Sequence, residues 1–342
     1  MRKILFFLCG IYNGGTEIEL YNLLKKIDKK KYELYVAFSD KENSDTVMVN
    51  KIKTYAKQIE ITDKHQMDVV VYCTEALDEI DQIKENIKYE KAYFWFHYFW
   101  EDQEMFLRRV VKNNEVDKVI AVSQSSKKEL LELGCFEDEK QIDVIYNILD
   151  TDKIKEGAKE KLNKPLGKDL NFVTVSRIAP IKRFDRIEKF VQVLQQKQID
   201  FKWFIVGKVK ESDYSEYAKQ MKARLNQYPQ ISFEGEQENP FKYMKACDYT
   251  MVLSDRETWS LATTESKIVG TPCVITDFGA AFEQIEDGKN GIIIERENEE
   301  YEKQVEKMLE NKQNLRENLK GFEYPIEKIL EDWDKEFKGK LV

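Results

Sequence analysis

Short apolar runs alternate with helical stretches along almost the whole chain, and the alternation occurs in two successive sets. The first run, Lys3-Ile4-Leu5-Phe6-Phe7-Leu8-Cys9-Gly10, is almost continuously apolar and closed by a glycine, the pattern of a strand buried on both faces. Residues 16–27 then put Ile18, Leu20, Tyr21, Leu24 and Ile27 at helical spacing. Further strands are predicted at 32–39, 68–73, 92–96, 118–123 and 143–147, with helices near 47–59, 77–87 and 125–133. Residues 151–169 are polar, contain Gly157, Pro165 and Gly167, and read as a linker. The second set has strands at 171–177, 201–207, 231–235, 249–254, 272–276 and 291–294. Its helices are predicted at 184–196, 214–226, 241–247 and 260–269, and a charged helical tail runs from Glu299. Strands of this kind joined by helices require parallel sheets covered on both faces. The expectation is therefore an α/β chain of two Rossmann-like, doubly wound domains, 1–160 and 161–322, with a ligand cleft between them at the carboxyl ends of the strands. The last helix, about 323–342, is expected to pack back on the first domain.

Composition narrows the function. Lys plus Arg number 55 against 63 Asp plus Glu, a net charge of −8, which argues against a nucleic-acid binder. Five scattered cysteines with no CxxC pair argue against disulfides and structural zinc, and for a reducing compartment. No apolar run approaches the twenty or so residues of a membrane span. The apolar start reads as a first strand rather than a signal peptide, because it ends in Asn13-Gly14-Gly15 with no small-residue cleavage site.

Three constellations carry chemistry. Gly14-Gly15-Thr16-Glu17 follows the first strand and opens a helix, so backbone can approach a ligand closely there. Read alone, it is also an ordinary strand-to-helix turn. Ser176-Arg177-Ile178-Ala179-Pro180-Ile181-Lys182-Arg183 leaves the carboxyl end of another buried strand. Arg177 and Lys182 suit a diphosphate, the first as a fork and the second as a point charge, although two solvated loop cations are the plainer reading. Ser254 to Glu265 offers Glu257 just past a strand end, a helix N-terminus around Trp259, Ser260 and Leu261, and Glu265 eight residues after Glu257.

Together these constellations resemble the retaining family-4 glycosyltransferases of the GT-B fold. Gly14-Gly15-Thr16-Glu17 is similar to the family's glycine loop, and Ser176-Arg177 with Lys182 to its diphosphate clamp. Glu257 and Glu265 match its Glu-x7-Glu spacing. Gly270-Thr271-Pro272, Asp287-Gly288 and Asn290-Gly291 match its downstream turns. Ser123, and Ile145-Tyr146-Asn147 with Asp150, resemble landmarks of its first domain. The resemblance implies that Arg177 and Lys182 hold the donor diphosphate and that Glu257 contacts donor sugar hydroxyls. It implies ribose contact for Glu265 and phosphate contact for the backbone N–H groups of Trp259, Ser260 and Leu261. Gly14 and Gly15 would lie against the phosphates and sugar. His97, at a strand end in the aromatic run 93–100, would lie near the donor sugar, with Tyr98 and Trp100 towards the acceptor. Without the resemblance, His97 reads as a core histidine. The chain departs from the family in carrying Thr258 and Ser260 where glycines are usual, and Asn147-Ile148-Leu149-Asp150 in place of Asn-Gly-x-Asp.

The implied activity is transfer of a sugar, with retention, from a nucleotide-diphosphate donor, UDP by default, to a glycan or lipid-linked glycan acceptor in bacterial surface polysaccharide synthesis. Non-catalytic GT-B binding subunits and sugar-nucleotide epimerases are the competing classes. No metal or cofactor is expected. Asp150-Thr151-Asp152 falls in the linker and Asp332-Trp333-Asp334 on a helix, where residues two apart face different ways. Lys25, Lys26, Lys29, Lys30 and Lys31 suit the end of the first helix, and they also suit peripheral contact of a cytoplasmic protein with anionic lipid.

Overall fold

The computed structural model describes residues 1–12, 14–98, 101–208, 215–297 and 300–338, and of 101–103 and 215 the backbone alone. Two compact units emerge, 1–149 with 325–342, and 150–324.

The first unit contains β1 (Arg2–Gly10), α1 (Gly15–Lys26), β2 (Tyr32–Asp40), α2 (Thr46–Lys53), β3 (Lys57–Gln58), β4 (His65–Gln66) and β5 (Val69–Tyr72). It continues with α3 (Ile80–Asn86), β6 (Ile87–Lys88), β7 (Lys91–Phe96), α4 (Glu101–Lys112), β8 (Lys118–Ala121), α5 (Gln124–Glu132) and β9 (Ile142–Val144). Its sheet has the order β3-β2-β1-β5-β7-β8-β9, all pairs parallel, and β4 pairs separately with β6. Residues Ile4 to Leu8 are fully buried, as a central strand covered on both faces requires.

The second unit contains α6 (Thr151–Gly157), β10 (Leu170–Val175), α7 (Phe184–Gln196), β11 (Phe201–Val206), α8 (Ser215–Leu225), β12 (Ile231–Gly235) and α9 (Phe241–Ala246). Then come β13 (Tyr249–Val252), α10 (Leu261–Ile268), β14 (Cys273–Thr276), α11 (Ala281–Gln284), β15 (Gly291–Ile294) and α12 (Tyr301–Asn318). The sheet order is β12-β11-β10-β13-β14-β15, again all parallel. This is the doubly wound order in which the chain reverses its direction of growth between the first and fourth strands. The stripe of Phe184, Ile187, Phe190, Val191 and Leu194 on α7 packs into the core around Trp203 and Phe172. Burying each such side chain contributes about 1.5–3 kcal/mol.

The last helix, α13 (Ile326–Lys338), belongs to the first unit. Trp333 packs edge-on against Trp95 at 4.8 Å, and Phe337 meets Phe6 and Tyr32 at 6.1 and 5.6 Å. The Tyr93 hydroxyl donates to the carbonyl of Glu336 at 3.0 Å.

Three elements differ from the sequence reading. The segment read as a linker begins with a helix, α6, capped by the Asp150 side chain, which accepts from the N–H of Lys153. Asn239 then donates to the carbonyl of Gly157 and to Glu160, so this stretch is bound into the second unit. The helix expected over 47–59 stops at Lys53, and residues 57–58 pair with β2 as an edge strand. Helices α4 and α11 lie where none was expected.

Candidate functional site

In the second unit the strand order reverses between β10 and β13, and the carboxyl ends of two strands at such a reversal are where open α/β sheets bind ligands. The two charged constellations occupy those two loops. β10 leads to Ser176 and Arg177, and β13 to Leu253, Ser254, Asp255 and Glu257. Arg177 is exposed and forms no ion pair among the described residues. Pro180 to Lys182 make a single tight turn before α7. There the Lys182 ammonium donates to Oε1 of Glu257 at 2.5 Å, and the Ser254 hydroxyl donates to the same oxygen at 2.7 Å. The Lys182 and Glu257 side chains are only 21% and 14% exposed, which strengthens their attraction over that of an open surface pair.

Asp255 ties the two loops together. Its backbone N–H donates to the carbonyl of Ile181 at 2.9 Å. Its carboxylate accepts from Arg183 at 2.9 and 3.0 Å and pairs with Arg186 at 2.8 Å. Arg186 is buried and also donates to the carbonyl of Leu253 at 2.7 Å. Arg183 has φ of 50°, the left-handed region, which costs a non-glycine residue about 1 kcal/mol. Its guanidinium forks onto Asp185 as well, at 2.8 and 2.9 Å.

The end of β13 also leads to the N-terminus of α10. The Ser260 hydroxyl caps it, accepting from the N–H of Thr263 at 3.2 Å, an arrangement worth about 1 kcal/mol. This gives the departure from glycine at position 260 a local role. The structure corrects one expectation here. The Ser260 N–H is not directed to a ligand, because the buried side chain of Gln284 accepts it at 3.0 Å. The Gln284 amide donates back to the Ser260 carbonyl and to the Thr264 hydroxyl, at 2.8 and 2.9 Å. Trp259 is held by its indole N–H on Thr264 at 3.1 Å. At the first turn, the N–H groups of Leu261 and Ala262 have no partner among the described residues, as the start of a helix dictates. Glu265 lies one turn into α10. Its carboxyl accepts no hydrogen bond among the described residues. Burial pushes it up to about 7, opposed only by the charge of Lys153.

In the first unit, the glycine turn is not an empty anion cradle. Gly14 caps α1, and the buried carboxyl of Glu17 accepts from the N–H groups of Gly14 and Tyr12 at 3.1 and 3.3 Å. Burial raises the affinity of Glu17 for its proton. Gly15, the first residue of the helix, is exposed. His97 directly follows β7 and is buried. Its Nδ1 lies 3.2 Å from Oε2 of Glu19, also buried, and its ring is 4.5 Å from that of Trp95. Tyr98 is half-buried, and Trp100 lies outside the described residues. Of the basic cluster, Lys29 reaches back to the carbonyls of Leu24 and Lys25, which is helix-end chemistry, and Lys31 pairs with Asp334 on α13 at 3.2 Å.

Among the described residues, no three His, Cys, Asp or Glu side chains cluster as metal ligands would, and no helix is long and apolar enough to cross a membrane. Sequence reasoning missed Arg186, Gln284 and Glu19. Arg186 had one signal, a cation next to Ile187 and four residues before Phe190 in an apolar stripe. Gln284 and Glu19 had none, because their partners lie 24 and 78 residues away in the chain.

Residues 154–322, almost the whole second unit, match the family model described as glycosyl transferases group 1. The N-acetyl-alpha-D-glucosaminyl L-malate synthase of Bacillus anthracis is 27% identical over 183 residues, 52% of this chain and 46% of that enzyme. The chain thus aligns with less than half the length of that relative. Anabaena HepE, solved with UDP and glucose, superposes with a TM-score of 0.73 at 18% identity, covering 99% of this chain and all of its own. A Staphylococcus aureus TarM variant, solved with Fondaparinux, alpha-GlcNAc-glycerol and UDP, gives 0.73 at 14% identity over 99% and 100%. The fold they share with this chain is GT-B.

Proposed function

We propose that this chain, a GT-B transferase enzyme whose residues 154–322 form a glycosyl transferases group 1 domain, moves a sugar from a UDP-sugar to an acceptor hydroxyl with retention at the anomeric carbon. The observation that carries the reading is the pairing of Lys182 with Glu257 at 2.5 Å beside the exposed Arg177, where β10 and β13 end. The UDP bound by HepE and TarM supports the nucleotide, and the N-acetylglucosaminyl transfer in the name of the B. anthracis relative supports a hexose-type sugar. A glycan or lipid-linked glycan is the proposed acceptor, reached from the cytoplasmic face of a bacterial membrane. The lysine cluster at the end of α1 is the surface proposed to face anionic lipid.

In this reading Arg177 and Lys182 bind the two phosphates, and the N–H groups of Leu261 and Ala262 add the positive end of α10. The glycosidic carbon–oxygen bond to the diphosphate breaks, and charge grows on the departing oxygen while the ring gains oxocarbenium character. One well-placed donor on that oxygen is worth on the order of 3 kcal/mol of barrier. The acceptor oxygen bonds to the same face of the anomeric carbon, and its proton passes to the departing phosphate. Glu257 holds donor sugar hydroxyls, Glu265 accepts from the ribose hydroxyls, and His97 sits by the transferred sugar. No metal is required, since cationic side chains and the helix terminus meet the charge.

The test is a thermal-shift titration with UDP, GDP and ADP on wild type and Lys182→Ala. A nucleotide at 100 times its Kd stabilises the fold by about 2.7 kcal/mol. The expected result is a shift with UDP that Lys182→Ala diminishes. No shift with any of the three, or an equal shift in the variant, sinks the donor site.

A further inference from the structure

Beside the proposed donor site stands a cluster that the reading leaves without a part: Arg183, Arg186 and Asp255. Its most telling member is Arg183. A glycine would adopt φ of 50° at that position without strain, and the chain places an arginine there. The fork onto Asp185, two residues on at the start of α7, is local and would need no second loop. The bonds from Arg183 to Asp255 cross to the loop from β13. They do so one residue after Lys182 and two residues before Glu257. Arg186 fastens the same carboxylate from a buried position and holds the carbonyl of Leu253, so the β13 loop is gripped on both sides of Ser254. A backbone bond from Asp255 to Ile181 closes the frame.

We propose that Arg183 is a positioning residue: through Asp255 and Arg186 it locks the loop of Lys182 against the loop of Glu257, and so sets where the Lys182 ammonium meets the donor diphosphate. The inference rests on the donor-site reading. The left-handed arginine is then the local strain accepted for a rigid diphosphate seat.

The test compares diphosphate with nucleoside. Calorimetry with UDP, GDP and ADP identifies the nucleotide bound, and competition measures its nucleoside. Arg183→Gly relieves the backbone and removes the tether; Asp255→Asn keeps the side-chain shape and weakens the tether. Both are expected to weaken the diphosphate threefold or more, to leave the nucleoside within twofold, and to leave Tm within about 3 °C. In a Lys182→Ala background neither is expected to cost anything further, because both act through Lys182. A loss under threefold in both variants, an equal loss for the nucleoside, or a full repeat of the loss without Lys182 would overturn the proposal. A Lys182→Ala protein that binds the diphosphate like wild type instead overturns the donor-site reading on which it rests.

Discussion

Glu265 is ionised in water at neutral pH, yet burial pushes its carboxyl from an ordinary 4.5 up to about 7. Between those two values the folded chain holds a proton that the unfolded chain has released. Stability therefore falls as pH rises from about 4.5 to about 7, and the full cost is present above that. At 1.36 kcal/mol per unit it reaches at most roughly 3 kcal/mol. Glu265→Gln removes the titration. Melting curves of the two proteins should separate in favour of the variant as pH goes from 5 to 8, and a separation that does not grow with pH means the carboxyl titrates normally. The ionised carboxylate is the stronger acceptor for ribose hydroxyls, so nucleotide affinity should rise over the same range in wild type and not in the variant. At this scale the pattern of the chain is informative where function sits on local spacing. Arg177 and Glu257 stand two and five residues past the ends of β10 and β13, where an apolar run closes, and Lys182 and Glu265 follow them at short spacing in the same segments. Arg186, Gln284 and Glu19 act through partners that only the folded sheet brings near. A buried amide that satisfies Ser260 has the same sequence signature as any surface glutamine.

The elements that were legible are those whose burial is repetitive. The apolar stripe on α7 predicts residues 184–196, and the helix spans Phe184–Gln196. β3, β4 and β6 have two residues each, too few for any periodicity, and exist because a neighbouring strand offers unpaired backbone. α6 was obscured by its polarity, since Ile154 is its only buried residue. The junction of elements most sensitive to change is the end of β11. Gly207 has φ of 156°, and a Cβ built there falls 1.9 Å from the carbonyl oxygen of Ser176. That carbonyl belongs to the backbone leaving β10, the segment that carries Arg177. A methyl group cannot enter without moving it, and the backbone angle itself disfavours any side chain. Gly207→Ala should destabilise the fold by about 2 kcal/mol or more and weaken UDP binding together. Chemical denaturation and calorimetry on the same preparation check this; a variant as stable as wild type would mean that the two strand ends can separate freely.

At the scale of the molecule, the two sheets repeat one logic, with order 3-2-1 and then outward from the first strand on the other side, which the two sets of alternating runs made legible. What the runs did not disclose is that residues 150–160 belong to the second unit, because polar composition describes a short surface helix as well as a linker. The last helix offers a test of how each unit holds itself together. Trp333 and Phe337 are fully buried, and Trp333 closes against Trp95 on β7. Its indole N–H has no hydrogen-bond partner among the described residues, so its contribution there is apolar packing. Trp333→Ala should cost the first unit about 3–5 kcal/mol, the usual price of a large aromatic cavity. The residues proposed to bind the donor, Arg177, Lys182, Glu257 and Glu265, all lie in the second unit, the first three on strand-end loops and Glu265 in α10, and the ion pairs that join those loops are internal to it. UDP affinity measured below the lowered Tm should therefore stay within about threefold of wild type. A collapse of UDP binding alongside the loss of stability would mean that the nucleotide depends on the first unit's Gly15 or His97 far more than on the strand ends of the second.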